Sequence, residues 1–127
     1  QQERGKAPEV RAAVPPSPKL SGQLLKDVES EYSRARSMFT KGDLAGAIKY
    51  WENVERVAPD FQSVRDYLVK AYKFLGVEFY GKGELRQAVS VWQKASQLVP
   101  SNEEIKNYIQ RTETELRKLE QLSYETE

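Results

Sequence analysis

Carboxylates fall close together at Glu103-Glu104 and at Glu113 and Glu115, and carboxylates are what general acid–base chemistry would need. They do such work only inside a pocket or beside a partner that perturbs them, and by spacing alone they read as solvated helix surface. Gly81-Lys82-Gly83-Glu84 has the glycine and lysine content of a phosphate loop. No Lys-Ser/Thr follows it and no strand precedes it, so it reads as a helix–helix turn. Trp51 and Trp92 offer rings that could stack on a base or a sugar, but a matched repeat position makes them core. Histidine and cysteine are both absent. Imidazole bases, thiol nucleophiles, disulfides and the usual zinc ligands therefore drop out together. The sequence offers no catalytic constellation, no metal set and no cofactor motif, and the expectation is a protein that is not an enzyme.

The elements that carry these residues are helical throughout. From Leu24 to Lys41 apolar residues recur at threes and fours, with Ser21 or Ser30 as the cap, and Gly42-Asp43 ends the run. Leu44 to Val57 is a second helix, stopped by Pro59. Asp60 predicts the N-cap of a long third helix over Phe61 to Lys82. The fourth spans Glu84 to Val99. Ser101-Asn102-Glu103-Glu104 then combines a cap with first-turn acids and opens a fifth, to Leu122. Ahead of them, residues 1–21 hold four of the six prolines, three of them between Ala12 and Pro18, and read as a disordered linker; residues 123–127 read as a frayed tail.

Two segments repeat. Gly83, Ala88, Trp92 and Pro100 each stand 41 residues after Gly42, Ala47, Trp51 and Pro59. The second copy carries Tyr72, Leu75, Gly76, Phe79, Gly83, Ala88, Trp92, Ala95 and Pro100, and in this pattern it resembles the tetratricopeptide repeat family. The first copy is looser, with Glu31, Arg34, Ala35 and Met38 at the first-helix positions. The family period is about 34 residues, so this spacing adds about two helical turns and keeps every apolar residue on its face. That insertion falls at Phe61 to Tyr67. The resemblance implies an all-α superhelix of two helix pairs plus a C-terminal capping helix, in residues 22–122, of a short bacterial type with extended first helices.

The resemblance also implies a concave surface, lined by first helices, that binds a peptide or partner protein. By position that groove is Tyr32, Arg36 and Phe39, then Lys70, Lys73, Val77 and Tyr80, then Arg111, Thr114 and Lys118. Five of these ten are basic (Arg36, Lys70, Lys73, Arg111, Lys118), although the whole chain carries a net charge of only +1. The asymmetry suits an acidic or carboxylate-bearing peptide. The asparagines with which chaperone-binding members clamp a carboxylate are missing. With so little net charge nothing recruits nucleic acid, and no apolar run reaches the ~20 residues of a membrane span. Ile105, Ile109, Thr112, Leu116 and Leu119 step by fours and threes, as in a coiled coil. The fifth helix is thus a cap on the stack, or alternatively the contact of a homodimer and a scaffold. Gln1 in place of Met points to a processed or excised segment, and a proline-bearing tether points toward the bacterial cell envelope or periplasm.

Overall fold

The computed structural model describes residues 20–126, and the expected linker lies almost wholly outside them. Five α-helices follow in order: α1 Gly22–Thr40, α2 Leu44–Val57, α3 Val64–Gly81, α4 Leu85–Leu98 and α5 Glu103–Thr126. No strand occurs among the described residues. Each helix packs on its neighbours in sequence, most extensively within the pairs α1–α2 and α3–α4, and α5 closes the stack against α4. The all-α class is therefore as expected, and the pairing fits a tetratricopeptide-like arrangement.

Local chemistry sets most helix ends. The Ser21 hydroxyl accepts the Leu24 N–H at 3.2 Å, and Asp43 accepts the Gly46 N–H at 3.0 Å. Between the paired helices the chain turns through Gly42 (φ 88°) and Gly83 (φ 80°), which tolerate the left-handed region that a side chain resists. Asp43 N–H reaches Met38 O and Glu84 N–H reaches Phe79 O, each at 2.9 Å, so both turns close as Schellman motifs.

The third helix departs from expectation. It begins at Val64, not Phe61, and Asp60 is not its cap. Gln62 takes φ 46°, which breaks the helix ahead of Ser63. Phe61 instead lays its ring edge-on to Tyr32, with centroids 5.3 Å apart. One repeat later the corresponding residue is Asn102, whose side chain accepts the Ile105 N–H at 3.1 Å. A capping amide there lets α5 start at Glu103, whereas a phenyl ring at 61 goes to the core. The expected two-turn extension of α3 is therefore partly loop. At the other end α5 stays helical to Thr126, past the Leu122 end read from sequence.

The core is one cluster running through both pairs, from Val28, Tyr32 and Ala35 to Trp92, Ala95 and Ile105. Trp51 is fully buried and Trp92 nearly so, as their repeat position required. Burying side chains of this size contributes about 1.5–3 kcal/mol each. Their surroundings differ. Trp92 lies against Gly76, where an added Cβ would stand 2.1 Å from Nε1, and its N–H donates to the Lys73 carbonyl at 3.1 Å. In the first repeat the counterpart of Gly76 is Ala35, fully buried in the same core cluster as Trp51. Trp51 Nε1 is buried without a hydrogen-bond partner.

On α5 the repeat continues only in part. Ile105 and Tyr108 match Val64 and Tyr67, but Glu113, Arg117 and Glu120 stand where α3 has Tyr72, Gly76 and Phe79. Arg117 and Glu120 are exposed, so the face that would take a further helix is polar.

Candidate functional site: the groove between the first helices

Residues 70, 73, 77 and 80 share one side of α3, as helical spacing demands. Lys70, Val77 and Tyr80 are exposed there, and Lys73 is half-buried. From α1 this surface receives Arg36, exposed, and Phe39, half-buried. Tyr32 does not line it. That ring is buried to 5 % exposure between Trp51, Phe61 and Tyr67, because the 58–63 loop folds over it and the Ser63 N–H points at its hydroxyl. The expected groove residue is a core residue.

Between α1 and α3 aromatic rings close the groove. Phe39 stacks on Phe74 at 6.2 Å and meets Tyr67 edge-on at 6.1 Å, while the Arg36 guanidinium lies over the Tyr67 ring at 6.0 Å. Phe74 is 44 % exposed and escaped the sequence reading, although its place among Lys70, Lys73 and Val77 on the same helix side was visible.

Between α3 and α5 the groove stays open. An open cavity of about 700 Å³ is walled by Val77 and Tyr80 of α3, Trp92 of α4, and Tyr108, Arg111, Thr112, Thr114, Glu115 and Lys118 of α5. Five of the ten expected groove residues meet here: Val77, Tyr80, Arg111, Thr114 and Lys118. Two links frame it. Lys73 Nζ pairs with Glu104 Oε1 at 2.8 Å, and the Tyr80 hydroxyl donates to both oxygens of Glu115 at 2.9 and 3.0 Å. Along α3 the links stand about 10 Å apart at 1.5 Å per residue.

These carboxylates were expected to be idle surface, and Glu104 and Glu115 are not. Lys73 and Tyr80 reach them from another helix, where no local pattern reveals them, while Tyr108 is a neighbour of Glu104 four residues along α5. Hydrogen bonds from Lys73 and then Tyr108 (O···O 3.0 Å) hold Glu104 below the usual carboxylate range. The bond to Glu104 raises Lys73, with burial opposing it. It also raises the Tyr108 phenol, and the bond to Glu115 raises Tyr80. Burial, then the hydrogen bond to Glu52, pushes Tyr72 far above the ordinary phenol range; it sits away from the cavity, bonded to α2 at 2.6 Å.

The charge asymmetry changes accordingly. Lys73 is spent on Glu104, which leaves Arg36, Lys70, Arg111 and Lys118 without an ion pair among the described residues. Glu115, already hydrogen-bonded, is the one acid at the cavity wall. No group of three or more acidic residues that could hold a metal occurs among the described residues, and no helix there is long and apolar enough to cross a membrane. The arrangement suits recognition: a concave, aromatic-walled surface with exposed cations at its mouth. No known protein-family model matches the chain, and no curated protein is significantly similar to it.

Proposed function

We propose that this chain is a non-enzymatic tetratricopeptide-type interaction module that binds an acidic peptide or partner protein in its concave groove, as one part of a larger bacterial assembly. The observation that carries this reading is the α3–α5 cavity, about 700 Å³ and partly aromatic, with Arg111 and Lys118 in its wall, neither in an ion pair among the described residues. That volume lies in the range of ligand sites, about 300–1,000 Å³. Arg36 and Lys70 extend the positive edge toward α1. A negatively charged segment gains charge-assisted hydrogen bonds from these four groups, worth about 1.5–3 kcal/mol each before ordering costs. The proline-rich stretch ahead of α1, outside the described residues, suits a tether that holds such a module within an assembly at the cell envelope.

The test is capture of partners by the immobilised protein, wild type against Arg36→Glu/Lys70→Glu. Both side chains are exposed, so helicity by circular dichroism should not change. Capture should fall about tenfold or more, which is about 1.4 kcal/mol, and should weaken as salt rises. Equal recovery by both baits at low and high salt refutes the acidic-groove reading. Lys73 is unsuitable for this purpose, because its reversal would set a carboxylate against Glu104.

A second reading has one observation in its favour. Leu119 and Leu122 on α5 are 53 % and 55 % exposed, which suits a homodimer or scaffold contact through that helix. Sedimentation over a concentration series separates the two. A dimer that Leu119→Asp/Leu122→Asp abolishes with the fold intact favours the scaffold.

A further inference from the structure

The two halves of the groove are built from repeat mates, and comparing them shows what the open half lacks. Forty-one residues separate Phe39 from Tyr80, Trp51 from Trp92, Tyr67 from Tyr108 and Phe74 from Glu115. In the α1–α3 half Phe74 stacks on Phe39, so four rings fill the space. In the α3–α5 half Tyr80 and Tyr108 likewise each meet the tryptophan, with Trp92 6.3 Å from Tyr80 and 5.0 Å from Tyr108. The fourth ring is missing, and a carboxylate held by the Tyr80 hydroxyl stands in its place. The cavity is therefore the space of an absent aromatic side chain, widened at its open edge.

We propose that the α3–α5 cavity is an anchor site for one aromatic side chain of an acidic partner segment, its ring taking the place that Phe74 fills one repeat earlier. This rests on the groove reading and narrows it to one end of the groove, since the α1–α3 half is closed by its own rings. An incoming ring meets the preference of aromatic pairs for offset or edge contacts at about 4.5–7 Å, the spacing the first half displays. The residues flanking that ring on the partner emerge beside Arg111 and Lys118, both at the wall and neither in an ion pair among the described residues. Glu115 opposes them with a single charge that already accepts two contacts from Tyr80. The local balance therefore favours carboxylates on either side of the ring. One buried aromatic anchor with a charged rim is how interfaces concentrate their binding energy.

The test uses the full chain labelled with ¹⁵N and three capped tripeptides, Ac-Glu-Phe-Glu-NH₂, Ac-Glu-Ala-Glu-NH₂ and Ac-Lys-Phe-Lys-NH₂. Trp92 is at the cavity wall and Trp51 is buried in the other half, so their two indole N–H signals report separately, and Trp51→Phe assigns them. The Glu-Phe-Glu peptide should move the Trp92 signal and leave that of Trp51, and the other two should bind about tenfold or more weakly. Glu115→Phe restores the missing ring from within; it should raise the melting temperature and abolish the shift. Should that variant fail to fold, Arg111→Glu serves instead and should reverse the preference between the Glu and Lys peptides. A Trp92 signal unmoved up to the peptide's solubility, equal binding of the Ala peptide, or a folded Glu115→Phe that still binds overturns the anchor. If Arg36→Glu/Lys70→Glu nonetheless loses its partners, the groove reading survives and only the anchor falls.

Discussion

Gly76→Ala sets two forces of opposite sign against each other. In a helix interior alanine is favoured over glycine by about 1 kcal/mol, so propensity alone predicts a more stable protein. At this position the new methyl would stand 2.1 Å from Trp92 Nε1, 2.4 Å from Cε2 and 2.6 Å from Cδ1. An indole is rigid and this one is only 3 % exposed, so it must shift as a body by an ångström or more. Overpacking of this kind costs about 1–3 kcal/mol. The shift also separates the indole N–H from the Lys73 carbonyl, and a buried donor left unpaired costs about 1–3 kcal/mol more. Against the propensity gain the net is a loss of about 1–5 kcal/mol, a large part of the ~5–15 kcal/mol a domain has. Urea melts read by circular dichroism measure it, with the indole N–H signal of Trp92 as a local report. Gly81→Ala in the last turn of the same helix is the control: nothing lies within 4 Å of its added Cβ, and it should stabilise by up to about 1 kcal/mol. If Gly76→Ala matches or exceeds wild-type stability, the close approach of Trp92 to the α3 backbone is wrong.

Three further outcomes follow from contacts already described. Trp92→Phe should cost about 1 kcal/mol more than Trp51→Phe in paired urea melts, because only Trp92 has an indole hydrogen bond to lose. Asn102→Ala removes the cap of α5 and should cost about 1 kcal/mol, with faster amide exchange confined to the first turn of that helix. The Lys73–Glu104–Tyr108 link should hold only within a pH window. Glu104 is lowered, so its contribution is present above the ordinary carboxylate pKa of about 4.3 and fades as acid takes the pH through its folded value. Lys73 and Tyr108 are raised, so theirs is complete below about pH 10 and is lost as alkali passes their folded values. Carboxyl ¹³C titration of Lys73→Met should return Glu104 toward its ordinary value, and an unchanged midpoint would remove the link from the argument.

Signals that act within a turn or two of chain were legible. The Gly42-Asp43 break and Pro59 bracket α2 at Leu44 to Val57, as read from sequence, since breakers work on the backbone beside them. The tryptophans were legible as core through the repeat. What tertiary contact decides was not. Phe61 carries a helix-compatible sequence around it, yet the Tyr32 ring draws it into a loop. Tyr32 itself sits at a groove position by family register, and that same loop buries it. Glu104 meets Lys73, and Glu115 meets Tyr80, only when α5 lies along α3. Carrying the offset of 41 one step further, from Tyr67 and Phe74 to Tyr108 and Glu115, would have marked the cavity and the residue that opens it.

Arg117 has a consequence for growth of the array. A solenoid lengthens when the next second helix can press a tryptophan against a bare backbone, as α4 does at Gly76. At the matching point α5 presents a guanidinium, flanked by Glu113 and Glu120. A segment following α5 cannot dock there as α4 docks on α3 without taking Glu113, Arg117 and the Arg86–Glu120 ion pair (2.7 Å) out of water, a far larger penalty than the contact returns. The stack therefore has a built-in terminus. An engineer adding a third repeat would first exchange Glu113, Arg117 and Glu120 for Tyr, Gly and Phe, the residues α3 has at those positions.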